Sequence, residues 1–248
     1  MEDKIQEIRY LEQELQKIGL QPKEQQLLQL YQYYEWVIER NKVMNLTAIT
    51  EYEEFVKKHF VDSLMIARKT KFSGESRLID IGTGAGFPGI PIKIIYPEVE
   101  VVLLDSLKKR IGFLQEVIQA LELTQITAIH GRAEEPARQK EYREQFDFCV
   151  SRAVAQLSVL TEYCLPYVKI GGSFIAYKSG QMEEELTEAE YAIGVLGGKL
   201  TELERFSLPG SDIERTLVRI LKEKQTPLKY PRSAGKPAKE PLAKRKKS

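Results

Sequence analysis

Leu78-Ile79-Asp80-Ile81-Gly82-Thr83-Gly84-Ala85-Gly86-Phe87-Pro88-Gly89 is the stretch that decides the fold. Its apolar run predicts a strand that ends at Ile81. The glycines that follow permit a tight turn and let a ligand approach the main chain, and Pro88 suits an early helical position. A strand running through such a turn into a helix is the opening unit of a parallel α/β sheet. Alone, the turn does not name its ligand: structural turns and NAD, nucleoside or phosphate sites all use one.

Downstream, apolar runs at 99–104, 126–129, 146–150 and 173–177 recur at strand length, each bounded by Gly, Asp or Pro. Helix-period stretches separate them, most clearly Leu107, Ile111, Leu114, Ile118 and Leu121, then Leu157, Leu160 and Cys164. The alternation predicts a mostly parallel sheet covered on both faces. After a helix carrying Leu186, Ala189, Ile193 and Leu196, the stretches 199–206 and 215–221 read as two strands joined through Leu208-Pro209-Gly210. A late antiparallel pair on a parallel sheet is the methyltransferase pattern and not that of a two-halved dinucleotide sheet.

Upstream, Ile5, Ile8, Leu11, Leu15 and Ile18 recur at three- and four-residue steps and stop near Gly19. Leu27, Leu30, Tyr34, Val37 and Ile38 repeat the pattern before Asn41, and Val56, Phe60, Leu64 and Ala67 give a third stripe with Lys57 and Lys58 on its other side. The expected organisation is a helical cap over 1–72, an α/β domain over 73–223 and a basic tail over 224–248.

Composition agrees. In 248 residues, 42% hydrophobic and 29% charged side chains with 16 Gly and 11 Pro exclude disordered, collagenous and membrane classes. Cys149 and Cys164 fit neither a zinc site nor a disulfide framework, so buried free thiols and a reducing cytoplasm are expected, with no membrane and no metal partner. The net charge of +1 hides an asymmetry, because nine Lys and Arg face one acid, Glu240, between Lys224 and Ser248. That tail, with Pro227, Pro231, Pro237, Pro241 and Lys244-Arg245-Lys246-Lys247, reads as an extended cationic arm for a polyanion, or as a solvated solubility tail.

Strand ends on one sheet edge gather the chemistry. Asp105 closes the second apolar run 23 residues after Gly82, near the spacing at which an acid accepts hydrogen bonds from ribose hydroxyls, although Asp105 or Ser106 would also serve as a plain helix cap. Gly131-Arg132-Ala133-Glu134 follows the third run, where Glu134 reads as a neighbour of an adenine ring or as a solvated first-turn acid. The glycine loop, Asp105 and Glu134 therefore converge on an adenosine-type ligand. S-adenosylmethionine fits better than NAD, given Gly82-x-Gly84-x-Gly86, no obvious hydride-transfer residue and the late antiparallel pair. Lys108, Lys109 and Arg110 stand where the helix dipole disfavours cations. They read as an ordinary charged face or, with Arg132, Arg152 and Lys178, as a positive rim suited to nucleic acid.

In that order the motifs resemble the bacterial small-subunit ribosomal RNA guanine-N7 methyltransferases, also known as glucose-inhibited division protein B. The likeness runs from about Leu27 to Leu221. It rests on Asn41-Lys42-x-x-Asn45-Leu46-Thr47, His59-Phe60-x-Asp62-Ser63, the glycine loop, Leu104-Asp105-Ser106-x-x-Lys109-Arg110, Arg132-Ala133-Glu134, Ser151-Arg152-Ala153 and Lys178-x-Gly180. The resemblance implies a class I, Rossmann-like methyltransferase with a seven-stranded sheet, acting with S-adenosylmethionine on the 530 loop of 16S RNA, free or within the small subunit; a monomer is the separate expectation. The resemblance also implies that Gly82, Gly84, Phe87, Asp105, Ser106, Ala133, Glu134 and Arg152 line the cofactor site, and that Lys109, Arg110, Arg132 and Lys178 face RNA or the guanine. Tyr230-Pro231-Arg232-x-x-Gly235-x-Pro237-x-Lys239 is similar to the tails of some relatives.

The chemistry accounts for the want of an obvious base. Guanine N7 has an in-plane lone pair and no hydrogen, so methyl transfer to it needs positioning and no proton acceptor. No catalytic residue is expected: His59 and His130 read as structural or RNA contacts, and Asp62 as a positioning or packing residue. The methylated base becomes cationic, so Arg152 and Lys178 are expected to hold phosphate, guanine O6 or, for Arg152, the methionine carboxylate. Other readings are a methyltransferase for a small molecule or protein, and a non-catalytic RNA-binding module.

Overall fold

Alternate side chains of the first strand part company, Leu78 joining the apolar cluster that holds the N-terminal helices and Ile79 the cluster on the opposite face. That period of two is what burial on both faces demands of a strand. The protein is described by a computed structural model covering residues 2–152, 155–180 and 182–243. Ala153 of the Ser151-Arg152-Ala153 motif and Lys244, Arg245, Lys246 and Lys247 of the tail lie outside the described residues.

The chain opens with α1 (Glu2–Lys17) and α2 (Glu24–Met44). A helical run follows: α3 (Tyr52–Phe55), a π-helical turn at Val56–Val61, α4 (Asp62–Leu64) and a 3-10 turn at Met65–Arg68. Then come β1 (Arg77–Ile81), α5 (Gly89–Ile95), β2 (Glu100–Asp105), α6 (Lys108–Ala120), β3 (Ile126–His130), β4 (Phe146–Ser151) and α7 (Leu157–Cys164). β5 (Val168–Lys178), α8 (Glu183–Val195), β6 (Gly198–Ser207), β7 (Glu214–Lys222) and α9 (Lys236–Lys239) complete it.

The seven strands lie in the order β3-β2-β1-β4-β5-β7-β6, parallel except for β7, which runs antiparallel to both β5 and β6. This is the class I methyltransferase sheet expected from the sequence. Register aligns Ile81 with Leu104, Asp105 with His130 and Ser151 with Ala176, so these strand ends share one edge. Strand order reverses at β1, between β2 and β4, which is where an open α/β sheet leaves a crevice for a ligand. One core packs Leu78, Val101, Leu103 and Val150 against α2, α6 and the helical run; the other packs Ile79, Val102, Leu104 and Phe174 against α7 and α8. Each such side chain contributes ~1.5–3 kcal/mol. Cys149 and Cys164 are both buried and free.

Three elements depart from expectation. α2 passes Asn41 and ends at Met44, with Asn45 in the left-handed region (φ 50°). Asn41 Oδ1 accepts the Thr47 N–H at 2.9 Å, tying the following loop to the helix from within it. β5 begins at Val168, ahead of the apolar run, because Gly171-Gly172 carries no side chain to signal a strand. Over its described part the tail is a larger correction: instead of running free, the chain from Thr226 to Leu242 folds back on the sheet's second face, burying Thr226, Tyr230, Pro231 and Pro237. Its carbonyls find donors in the arginines that follow β3. Arg143 donates to Thr226 O (2.7 Å) and Tyr230 O (2.9 Å), and Arg138 donates to Pro231 O.

Candidate active site

Main-chain hydrogen bonds knot three loops together at the sheet edge. The N–H groups of Gly82 and Thr83 donate to Leu104 O at 2.9 and 3.1 Å, Gly84 N–H donates to Asp105 Oδ2 at 3.0 Å, and Gly131 N–H donates to Asp105 O at 3.1 Å. The buried Asp105 carboxylate also accepts the Leu107 N–H at 2.9 Å and Arg110 Nη1 at 3.3 Å. Asp105 thus caps the approach to α6 while bracing the glycine loop.

Beneath the loop lies Asp80, fully buried. Its Oδ2 accepts the Thr83 hydroxyl at 2.7 Å and the Gly89 N–H at 2.9 Å, whereas Oδ1 has no hydrogen-bond partner. Burial outweighs those bonds and pushes the carboxyl up to about 6. The loop tolerates no bulk here. A Cβ on Gly89 would come within 2.3 Å of Leu103 Cδ2; one on Gly86, at φ +109°, would meet the Tyr33 hydroxyl at 2.7 Å. That hydroxyl donates to Ala85 O at 2.6 Å, fastening α2 to the loop.

A cavity of about 250 Å³ opens among these loops, lined by Gly82, Leu104, Asp105, Ser106, Arg132, Ala133, Glu134, Leu160 and Tyr163 among others. Apolar walls and buried acceptors meet in it. Leu104, Ala133 and Leu160 offer apolar walls, and Asp105 and Glu134, each 4% exposed, are buried acceptors. Tyr167 fixes the third loop by donating its hydroxyl to Ala133 O at 2.6 Å. That set of apolar walls and buried acceptors fits the adenosyl part of S-adenosylmethionine; Asp80, beneath the loop, does not line the cavity.

A second cavity of about 620 Å³ shares Ala155 with the first and lies between the N-terminal helices and the ends of β4, β5 and β7. Lys58, His59 and Asp62 line it from the helical run, and Arg152, Tyr177, Lys178, Glu185 and Arg215 from the sheet side. Asp62, 2% exposed, holds Arg152 Nη1 and Arg215 Nε, both at 3.1 Å. Arg152 also donates to Lys58 O in the π-helical turn, and its Cζ lies 5.0 Å from the Phe87 ring centroid. Arg152 Nη2 lies 3.2 Å from His59 Nδ1. Since a guanidinium has only donors, Nδ1 accepts and Nε2 carries the proton, shared with Thr47 Oγ1 at 2.8 Å. Burial, then the Arg152 and Lys58 charges, push the imidazole down to about 3, so His59 is neutral. Its ring stacks on Phe87, centroids 4.6 Å apart.

The sequence profile of the family described as rRNA small subunit methyltransferase G matches residues 26–217. The chain belongs to that family. A ribosomal RNA small subunit methyltransferase G from Lachnoclostridium phytofermentans is 57% identical over 94% of this chain and 97% of its own length. One from Alkaliphilus metalliredigens is 50% identical over 92% and 95%. Among solved structures, the YcgJ protein of Bacillus subtilis gives a TM-score of 0.52 at 13% identity, covering 67% of this chain and 100% of that one. TYW2 of P. horikoshii in complex with MeSAdo gives 0.51 at 16% identity, over 65% and 62%. At those identities the likeness is one of fold.

In this member of the rRNA small subunit methyltransferase G family, the structure brings Gly82, Asp105, Ser106, Ala133, Glu134 and Arg132 to one cavity, and Arg152 and Lys178 to the other. Phe87 lines neither; it is buried beneath His59, Tyr33 and Phe55. Gly84 meets Asp105 through its N–H. Arg110 is spent on Asp105, and Lys178 is bound to Ala155 O and Glu185, whereas Lys109 is exposed and unpaired among the described residues. His130 meets the Ser106 carbonyl at 3.1 Å. Sequence reading passed over Tyr163 and Arg215, which line the cavities, and Asp80, which braces the glycine loop from beneath. Asp80 had a signal, an acid inside an apolar run; Arg215, at the far end of the antiparallel pair, had none.

Proposed function

We propose that this chain transfers a methyl group from S-adenosylmethionine to N7 of a guanine in the RNA of the small ribosomal subunit, the 530 loop of 16S RNA being the target that the sequence resemblance implies. One observation carries the reading: two adjoining cavities on a single sheet edge, one walled by buried carboxylates and main chain, the other by cationic side chains. In the first, Asp105 accepts ribose hydroxyls, Gly82 and Gly84 let the ligand lie against the backbone, and Leu104, Ser106, Ala133 and Glu134 surround the base. Arg110 acts through Asp105, holding its carboxylate in place.

S-adenosylmethionine supplies an electrophilic methyl group on a sulfonium. The chain's own work is to bring a guanine edge to that methyl, and to keep water out. N7 arrives with a free lone pair, so no side chain takes a proton, and alignment carries the rate. His59 suits that division: neutral, with both nitrogens engaged, it locks Arg152 and Phe87. Arg152, Lys178 and Arg215 give the larger cavity its positive lining without a cation free to meet the methylated ring. Arg152, held by Asp62 and His59, thereby joins the N-terminal helices to β4. Lys109 and Arg132, exposed on the rim, hold phosphates.

The test is incorporation of label from S-adenosylmethionine into purified 16S RNA and small subunits, followed by nucleoside analysis. Label in 7-methylguanosine is the expected result. Label in protein, in another nucleoside or nowhere overturns the proposal.

A further inference from the structure

The tail passes beside an acid that lines the smaller cavity. Glu162 of α7 is fully buried, and among the described residues every hydrogen bond it accepts comes from Arg232. The Arg232 backbone N–H reaches Oε1 at 2.8 Å, Nε lies 2.9 and 3.1 Å from the two oxygens, and Nη2 reaches Oε2 at 2.6 Å. A carboxylate this deep demands such pairing, which fixes where the chain turns. Three residues later Gly235, in the left-handed region at φ +80°, donates its N–H to Glu134 Oε1 at 2.7 Å. Among the described residues that is the one hydrogen bond Glu134 receives, and it comes from 101 positions away. Glu134 lines the smaller cavity.

We infer that the segment from Tyr230 to Lys239 forms part of the cofactor site, and that Arg232 is a positioning residue which, through Gly235, sets the rotamer of Glu134. The inference rests on the cofactor reading of the smaller cavity. One oxygen of Glu134 is held by the tail, which leaves the other to accept a hydrogen bond from a bound base. Docking of the tail and binding of the cofactor then favour each other by the same factor, as linkage requires.

The test uses calorimetry with S-adenosylhomocysteine on the parent chain, on a Glu162→Gln/Arg232→Met double variant and on a chain shortened after Ala243, past Leu242, which still packs on the core. Changing both partners avoids stranding a buried charge, so the double variant is expected to fold. It should bind roughly tenfold more weakly, the weight of one hydrogen bond to a charged group. The shortened chain, which keeps the docked segment, should bind like the parent. In turnover, KM for the cofactor should rise in the double variant while kcat and KM for RNA hold, a split that general destabilisation does not give. Hydrogen exchange supplies a second reading on the unaltered protein, since added S-adenosylhomocysteine should slow exchange at Gly235. Unchanged affinity in a folded double variant, or exchange at Gly235 indifferent to ligand, overturns the inference. A parent that binds no S-adenosylhomocysteine overturns the cofactor reading beneath it, an outcome distinct from either.

Discussion

The two cavities lie side by side, share Ala155 and are built from opposite materials. The smaller takes its walls from the loops after β1, β2 and β3 and from α7, and its buried charged groups are the carboxylates of Asp105 and Glu134, with Arg132 exposed at its rim. The larger draws Lys58, His59 and Asp62 from the helices before the sheet, and surrounds one buried acid with Arg152 and Arg215. Carboxylates beside apolar walls suit a compact ligand rich in hydroxyls; guanidinium and ammonium groups suit a phosphate chain. The walls of the smaller site therefore come from the sheet edge and α7, with the docked tail behind Glu134, at the switch point where open α/β sheets hold a ligand. The other exists only because the N-terminal helices are fastened down, by Tyr33 to Ala85, by Tyr177 to Ser63 and by Arg152 to Asp62.

That contrast breaks most easily at Asp105. Asp105→Ala removes the acceptor of Gly84 N–H, Leu107 N–H and Arg110 together. At ~1.5–3 kcal/mol for each hydrogen bond to a charged group, affinity for S-adenosylhomocysteine should fall roughly 100-fold or more while RNA affinity holds. Arg152→Ala is the mirror experiment. It leaves Asp62 with Arg215 alone and loosens His59 and Phe87. Turnover on RNA should fall on the order of 100-fold, the scale of a misplaced reacting group, with cofactor affinity unchanged. Calorimetry and single-turnover methylation check both. If either variant weakens both functions alike, the cavities are not separate.

Asp80 sharpens the same contrast through pH. Burial pushes its carboxyl up to about 6 in the folded protein, above an aspartate's ordinary value of about 3.9. The sign follows: the folded state holds the proton more tightly, so this group's contribution to stability is present below about 4 and is lost as pH rises through about 6. Asp80→Asn cannot titrate. Variant minus parent stability should therefore climb between pH 4 and pH 7.5, by on the order of 2–3 kcal/mol. Denaturant unfolding across that range reads the slope, and a flat difference means that Asp80 carries no such burial penalty.

The fold was legible in the sequence because double burial writes itself as short apolar runs, and the glycine loop marks where the first ends. Asp105 and Glu134 were legible for the same reason, since residues just past parallel strands share an edge wherever the sheet is drawn. Tail docking was not. Proline-rich, lysine-rich sequence reads as solvated chain, and only three-dimensional placement reveals that Arg138, Arg143 and Glu162 wait for its carbonyls and for Arg232. The π-helical turn escaped as well. Val56, Phe60 and Leu64 keep an ordinary helical stripe, while the widened turn offers the Lys58 carbonyl to Arg152.

The smallest expected effect separates two neighbours that the sequence groups together. Lys109 is exposed with no ion-pair partner among the described residues, whereas Arg110 reaches Asp105. If Lys109 meets phosphate, Lys109→Ala should make the plot of log affinity for RNA against log salt shallower by about 0.7–0.9, one released counterion, and leave cofactor binding alone. Arg110→Ala should instead weaken S-adenosylhomocysteine binding several-fold, by freeing the Asp105 carboxylate, and alter the salt slope less. Equal slopes lost by both variants, with no change in cofactor affinity, would return Arg110 to the RNA side and leave the glycine loop to orient Asp105 alone.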